Sequence, residues 1–270
     1  MNVFIVIDKK KIRNISIAIV VILVIIFILI GRKNIFAATL NEKTYMAIVI
    51  DDFGNNGAGT EEMMNLDIPL TAAIMPFGES ASMDARLAKE KGKEVIIHMP
   101  MEPEVGRESW LGKTPILATL SNEEVEKRTR NAMDILKEAT GMNNHMGSRV
   151  MQNERIVNII LDLLKEKNMF FLDSKTTQKS VAEKLAKDKG IDFYERDIFL
   201  DHVSTQSNVE KQMEEAIKVS KTKGYVIVIG HVGAQGGNIT VKGINNKISR
   251  VKSENIELVT LSQLREKLKQ

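Results

Sequence analysis

Residues 46–54 read Met-Ala-Ile-Val-Ile-Asp-Asp-Phe-Gly, so five apolar side chains run directly into two adjacent carboxylates and a glycine. A short apolar run that ends at turn residues is typical of a buried strand. Neighbouring residues at a strand end point in different directions. One of the two carboxylates, Asp51 or Asp52, is then free to bind a cation while the other moves a proton. A solvated acidic turn is the alternative interpretation, because Asp is also common in turns.

Short apolar runs alternate with helical patterns along the rest of the chain. Strands are predicted over residues 46–50, 70–75, 94–97, 143–146, 169–172, 225–229 and 256–261, with a broken strand over 192–200. Helices are predicted over residues 83–91, 121–139, 152–167, 181–189, 209–223 and 261–269. Strands that alternate with helices of this length indicate parallel βαβ units. About eight strands in one domain predict an irregular (β/α) barrel of seven to eight strands, with a doubly wound open sheet as the alternative.

Composition narrows the function classes. The chain has 270 residues and no cysteine, which excludes disulfides, thiolate metal sites and a cysteine nucleophile. The net charge is +3, but residues 1–33 hold six Lys and Arg side chains against one Asp, so the rest of the chain is slightly acidic. The folded part therefore has no basic surface of the kind that binds nucleic acid.

The N-terminus has the pattern of a membrane-targeting segment. Residues 1–14 form a basic, cytoplasmic n-region, residues 15–31 a transmembrane anchor or signal-peptide core, and residues 32–44 a polar linker. We favour an uncleaved anchor. The positive-inside rule then places the domain over residues 45–270 outside the cytoplasm, either anchored to the membrane or secreted.

Titratable side chains collect where the predicted strands end. They are Asp51, Asp52, His98, His145, Asp173 and His231. Each has a structural interpretation when taken alone, such as a buried histidine with satisfied hydrogen bonds or an aspartate that caps a helix. In a barrel, however, the carboxyl ends of the strands converge on one face, and that face carries catalysis. A carboxylate with two imidazoles suits Zn²⁺ or a similar divalent ion.

Five short motifs give the chain a family resemblance. They are Ile50-Asp-Asp-Phe-Gly54, Ile97-His-Met-Pro-Met-Glu-Pro103, Asn143-Asn-His-Met-Gly-Ser-Arg149, Phe171-Leu-Asp-Ser174 and Gly230-His-Val232. From Met46 to about Leu264, the chain resembles the divergent polysaccharide deacetylases of the NodB-homology class. The resemblance implies an irregular barrel and metal-dependent removal of an acyl group, which we expect to be N-acetyl, from a sugar. It also implies a polysaccharide or peptidoglycan-type glycan as the substrate, and the ligand types favour zinc as the metal.

The resemblance also assigns roles to four residues. It makes Asp51 the general base and Asp52 a metal ligand, since these are the first and second Asp of the family's pair. His98 matches the family's metal-binding histidine. His231 matches the late histidine that protonates the leaving group.

This chain departs from the main family pattern at several positions. Glu102 occupies the slot of the second metal-binding histidine, so the third ligand is either Glu102 or His145. We favour His145, because an imidazole restores the usual ligand set and charge. The arginine loop of the main family pattern is absent from this chain, and Arg149 is the only nearby candidate to replace its arginine. Asp173 is predicted to orient Asp51 or a substrate hydroxyl.

Two other function classes stay open at this point. One is a non-catalytic carbohydrate-binding protein on the same fold, and the other is a different metal-dependent hydrolase such as a phosphodiesterase. Trp110, in the long loop after the third strand, either stacks on a sugar ring or caps the barrel mouth. His202 is interpreted as structural. The sequence says nothing about the oligomeric state.

Overall fold

The computed structural model describes residues 43–269, which form a parallel α/β sheet covered by helices. The strands are β1 Thr44–Phe53, β2 Thr71–Ile74, β3 Glu94–Met101, β4 Gly141–Met146, β5 Phe170–Asp173, β6 Phe193–Glu195, β7 Ile198–Phe199, β8 Tyr225–His231 and β9 Ile256–Val259. The helices are α1 Thr60–Met64, α2 Ala81–Glu90, α3 Asn122–Ile135, α4 Glu154–Glu166, α5 Ala182–Lys189, α6 Gln206–Lys223, α7 Asn238–Ser253 and α8 Leu261–Leu268.

The sheet is curled, and the strands at its two ends follow one another in the chain. Its strand order is β6-β5-β4-β3-β2-β1-β8-β7, and β9 pairs with the first half of β1. Strands β6 and β7 stand at opposite ends of this order, yet only Arg196 and Asp197 separate them in the chain. The Arg196 N–H donates to the Asp173 carbonyl on β5, and the Asp197 N–H donates to the Ile227 carbonyl on β8. This arrangement differs from a doubly wound sheet, whose edge strands lie far apart, and it divides the predicted broken strand in two.

Alternation along the strands separates two apolar layers. The side chains inside the curl are Ala47, Val49, Ala73, Ile96, Phe170, Leu172, Tyr194, Ile227 and Ile229. Val259, Leu261 and Leu264 belong to the same buried cluster. Met46, Ile48 and Ile50 on β1 belong to the larger layer that packs against the helices. Because the strand period is two, Asp51 continues the inward-facing series of β1 at its carboxyl end.

Two of the predicted boundaries that differ from the structure concern β3 and the helix before β4. Strand β3 does not end at His98 but continues to Met101. Since β2 ends at Ile74, this part of β3 lacks that neighbour and tolerates Pro100. The helix predicted to reach residue 139 ends at Ile135. Gly141 is the first residue of β4.

Helix α7 was not predicted from the sequence. Its first turn contains the β-branched residues Ile239, Thr240 and Val241, which have low helix propensity. Burial of Thr240, Ile244 and Val251 against the rest of the domain overrides that preference. The predicted helix over 152–167 is confirmed as α4, and the Asn153 side chain caps it by accepting from the Ile156 N–H.

The predictions for residues 1–14 and 15–31, and nearly all of the predicted linker, lie outside the described residues. Strand β1 begins at Thr44, one residue before the predicted domain boundary. Within residues 43–269, no helix is both long and apolar enough to cross a membrane.

Gly141 provides a test of packing inside the curl. A Cβ at this position would lie 2.3 Å from a carbon of the Phe170 ring. We expect Gly141→Ala to lower the free energy of unfolding by about 1–3 kcal/mol, the usual cost of overpacking. In the double variant with Phe170→Leu, the smaller side chain makes room, so the loss should be less than the sum of the two single losses. Urea unfolding of the four proteins measures this coupling, and strictly additive losses would show that the Gly141–Phe170 contact is unimportant.

Candidate metal centre and active site

A bulge at the end of β1 brings both aspartates to one cleft. Ile50 pairs with Ala72 and Phe53 pairs with Ile74, so β1 advances three residues where β2 advances two. Asp52 has a φ of +70°, a left-handed backbone that is rare for a residue with a side chain. Bulges re-aim side chains and are common beside active sites. Asp51 and Asp52 accordingly both line the same cleft.

Three ligand atoms form a nearly equilateral triangle. Asp52 Oδ1 lies 3.2 Å from His98 Nε2 and 3.1 Å from His145 Nδ1. The two histidine nitrogens are 3.1 Å apart. Tetrahedral zinc, with bonds of about 2.0–2.1 Å, holds its ligands roughly 3.3 Å apart. The triangle therefore has the size that a divalent ion requires, and it confirms the proximity of the three predicted ligands.

The surroundings of the triangle keep its ligand atoms available. Asp52 Oδ1 is buried and receives no well-aligned hydrogen bond from the described residues. Burial raises the pKa of the Asp52 carboxyl, but the two adjacent imidazoles outweigh burial and hold that pKa well below its usual range. His98 Nδ1 lies 2.7 Å from Asn143 Oδ1, and His145 Nε2 lies 2.9 Å from the Trp110 carbonyl oxygen. These outer contacts orient each ring and leave its other nitrogen facing the triangle.

Glu102 and Arg149 do not reach the triangle. Glu102 Oε2 accepts from the Ala118 N–H at 2.7 Å, and Glu102 Oε1 lies 3.2 Å from Arg149 Nε. The Glu102 backbone N–H donates to the Ile116 carbonyl, so this residue fastens the loop that follows β3. Of the two candidates for the third ligand, the structure brings His145 and not Glu102 to the triangle. Arg149 pairs with Glu102 instead of standing in for the missing arginine.

Asp173 is also absent from the cleft. Its neighbours on β5 fix its direction, because Leu172 faces the inside of the curl and Asp173 faces the other way. The carboxylate accepts from Ser180 Oγ at 2.5 Å and from the Lys175 N–H at 2.7 Å. Asp173 therefore organises the loop after β5, and the prediction that it orients Asp51 is not supported. Burial raises the pKa of its carboxyl.

His231 forms a buried dyad with Asp201, a residue that the sequence reasoning missed. His231 Nδ1 lies 2.8 Å from Asp201 Oδ1, and the His231 N–H donates to Asp201 Oδ2 at 2.7 Å. Thr240 Oγ1 also donates to Oδ2. Burial lowers the pKa of His231, but the Asp201 hydrogen bond and nearby negative charge outweigh it and raise that pKa to about 9. The available signal was the position of Asp201 directly after the broken strand.

The sheet register sets the spacing of these groups. Asp51 and His231 are direct partners in the β1–β8 pairing, and His98 and Asn143 are partners in the β3–β4 pairing. The cleft has a volume of about 390 Å³, within the range of small-ligand sites. Its further lining residues include Pro103, Val105, Asn144, Met146, Ser148, Ser174, Lys175, Thr176, Arg196, Phe199 and Gln235.

Arg196 was not identified from the sequence, although it lines the cleft. Its guanidinium lies 4.8 Å from the centre of the Phe199 ring and donates to the carbonyls of Ser174 and Lys175. Trp110 is 56% exposed and is not among the cleft-lining residues. His202 is exposed and contacts a backbone carbonyl, in keeping with a structural role.

Residues 48–265 match a family model described as divergent polysaccharide deacetylase. The chain belongs to this family. An uncharacterized protein from Haemophilus influenzae is 33% identical over 219 residues, which cover 81% of this chain and 76% of that protein.

Solved structures show that the deacetylase-family fold is shared. The chain superposes on the uncharacterized protein ATU2773 of Agrobacterium tumefaciens C58 with a TM-score of 0.76 and 20% identity, covering 83% of this chain and 89% of that one. It superposes on the Bc1960 peptidoglycan N-acetylglucosamine deacetylase with a TM-score of 0.53 and 12% identity, covering 82% and 88%. At these identities, the likeness establishes the fold alone.

The triangle makes a direct prediction for metal binding by this family member. We expect His145→Ala to weaken Zn²⁺ binding by roughly 100-fold or more, because it removes one of three protein ligands. Glu102→Gln should bind zinc like the wild type, since Glu102 contacts the loop and not the triangle. Competition with a chromophoric chelator measures both affinities. If Glu102→Gln weakened zinc binding and His145→Ala did not, Glu102 would be the third ligand.

The His231–Asp201 dyad predicts a pH dependence of stability in the metal-free protein. The pKa of His231 rises from 6.5 to about 9 on folding, so its stabilisation is complete below about pH 6.5 and lost as the pH rises through about 9. The stability advantage of the wild type over His231→Asn should fall by on the order of 3 kcal/mol across this window. Urea unfolding at several pH values measures it. Thr129→Val is the control, because Thr129 does not titrate, and its pH dependence should equal that of the wild type.

Proposed function

We propose that this chain is a metal-dependent hydrolase that removes an acyl group, expected to be N-acetyl, from a cell-envelope polysaccharide or peptidoglycan-type glycan. One observation carries the proposal: a single cleft holds the ligand triangle, a separate carboxylate at Asp51 and the His231–Asp201 dyad. A metal site, a base and an acid are together sufficient for amide hydrolysis.

Asp52, His98 and His145 would hold the ion, and their nitrogen and oxygen donors fit Zn²⁺. When bound, such an ion lowers the pKa of a water molecule and polarises an acyl carbonyl. The buried and otherwise unpartnered Asp52 Oδ1 is the feature of this structure that favours a cation here.

Asp51 is placed to act as the general base. Its side chain is buried, and Oδ1 accepts from Asn143 Nδ2 at 2.8 Å. Among residues 43–269, no side chain donates to its second oxygen at hydrogen-bond distance, so that oxygen is available to take the proton of an attacking water. Asp51 does not belong to the ligand triangle, and its charge is not committed to the metal.

His231 is placed to act as the general acid. Asp201 fixes Nδ1, which leaves Nε2 to donate. The pKa of His231, raised to about 9, keeps the imidazole protonated at neutral pH, as an acid requires. Because Asp51 and His231 are register partners on adjacent strands, the base and the acid stand beside one another at the same level of the cleft.

The comparisons support the substrate class without deciding it. One structural relative is a peptidoglycan N-acetylglucosamine deacetylase, and the family as a whole is described by polysaccharide deacetylation. The basic and apolar N-terminal pattern supports a location at the outer side of the cell membrane, where such glycans lie. A purely binding protein would have no use for an acid and a base in the same cleft.

The proposal predicts acetate release. The zinc-loaded wild-type protein should release acetate from acetylated chito-oligosaccharides or from peptidoglycan fragments. Asp51→Asn should lower kcat by about 10²–10⁴-fold, because it removes the proton acceptor. Enzymatic detection of acetate measures the rate, and zinc content is measured on the same samples.

A matched control removes a charge away from the cleft. Lys89→Gln breaks an exposed pair with Glu138 and should retain the wild-type rate. Full activity in Asp51→Asn would refute the assignment of the base. A wild-type protein that binds these glycans and zinc but releases no acetate would establish a carbohydrate-binding function instead.

A further inference from the structure

A single buried amide connects three strands beneath the cleft. Asn143 on β4 is fully buried, and its Nδ2 donates to Asp51 Oδ1 on β1 at 2.8 Å and to Ser174 Oγ, just after β5, at 3.3 Å. Its Oδ1 lies 2.7 Å from His98 Nδ1 on β3. Both amide hydrogens and the carbonyl oxygen therefore have partners, and every partner lines the cleft.

The chemistry of these partners fixes the direction of each hydrogen bond. An ionised Asp51 carboxylate only accepts, so the amide must turn its NH₂ group toward Asp51. The amide carbonyl then faces His98, and because a carbonyl also only accepts, His98 Nδ1 must carry the hydrogen. In the neutral imidazole the second nitrogen, Nε2, is left without a hydrogen, and this atom faces Asp52 Oδ1.

We propose that Asn143 is a positioning residue that prepares both halves of the site. It holds His98 in the tautomer that can ligate a metal through Nε2, and it fixes Asp51 Oδ1 so that the other oxygen is free. The first half concerns metal binding alone. The second half rests on the proposed function, because it treats Asp51 as the base.

The amide is suited to this task because it joins one donor and one acceptor on a rigid plane. A carboxylate at position 143 would accept from His98 in the same way, but it would oppose Asp51 with a like charge and offer no hydrogen. An alanine would leave both partners without their contact. An alanine at position 143 therefore removes the contacts with both His98 and Asp51, whereas an aspartate removes only the hydrogen bond to Asp51.

The test compares Asn143→Ala with the isosteric Asn143→Asp. For Asn143→Ala we expect zinc affinity to fall about 10–100-fold, the usual effect of losing a partner of a metal-binding histidine. The ¹⁵N spectra of its ring nitrogens should show that His98 no longer holds its hydrogen on Nδ1. For Asn143→Asp we expect zinc affinity and the His98 tautomer of the wild type, but a kcat lower by roughly 100-fold with little change in KM.

A remote buried polar group provides the control for general destabilisation. Thr129 on α3 is fully buried and donates to the Val125 carbonyl at 2.8 Å. Thr129→Val should lose stability while its zinc affinity, His98 tautomer and kcat remain those of the wild type. If Asn143 had a purely structural role, its variants would also lose stability but keep the zinc affinity, the His98 tautomer and the kcat of the wild type.

Each readout can overturn one half. Wild-type zinc affinity and an unchanged His98 tautomer in Asn143→Ala would refute the metal half. An unchanged kcat in Asn143→Asp would refute the half that concerns Asp51. If the wild type binds zinc but deacylates no glycan, the proposed function fails by itself, and the affinity and tautomer measurements still decide the role of Asn143 at the metal site.

Discussion

The pairing of β1 with β8 from Tyr45 to Asp51 is the interaction on which the rest of the site depends. On its other side, β1 pairs first with β9 and then with β2, so it is held along its whole length. A parallel ladder fixes which side chains stand level with one another. Asp51 stands beside His231 for this reason, and a slip of one residue would turn Asp51 toward the helices.

Against this regular background, the site uses two local departures. The bulge between Ile50 and Phe53 and the left-handed backbone of Asp52 break the alternation that would send Asp52 away from Asp51. Non-glycine residues in this conformation cost of order 1–3 kcal/mol and persist where the surroundings hold them. The paired strands on both sides of β1 provide that support. Regular pairing thus positions Asp51 and His231, while the strained Asp52 completes the triangle of candidate ligands.

The sequence was informative about which strands bring titratable side chains to the cleft. The apolar run before Asp51 and Asp52 identified β1, and the histidines at 98, 145 and 231 were correctly expected at one face. The sequence did not show the direction in which each of these side chains points. Asp173 ends a strand as Asp51 does, but the alternation of β5 turns it outward. Asp201 and Asn143 were overlooked because their roles come from partners more than 25 positions away in the chain.

The same limitation explains the competition between Glu102 and His145. The family pattern made Glu102 a candidate for the third ligand beside the favoured His145, because Glu102 occupies the slot of a metal-binding histidine. Only the folded loop shows that the Glu102 carboxylate is already occupied by Ala118 and Arg149. A family motif therefore identifies the region that supplies a ligand, whereas the hydrogen bonds of the loop decide which side chain remains free to serve.

The meeting of the two sheet ends at Arg196 and Asp197 has a mechanical consequence. Strand β7 is only two residues long and joins β8 through Ile198 and Phe199, which makes this seam the shortest stretch of pairing in the curl. One wall of the cleft, with Arg196 and Phe199, stands on the seam, whereas the ligand triangle stands on the longer strands β1, β3 and β4. The wall that carries Arg196 and Phe199 is therefore held by fewer strand pairs than the ligand triangle, so a change in the width of the cleft would meet least resistance along the seam.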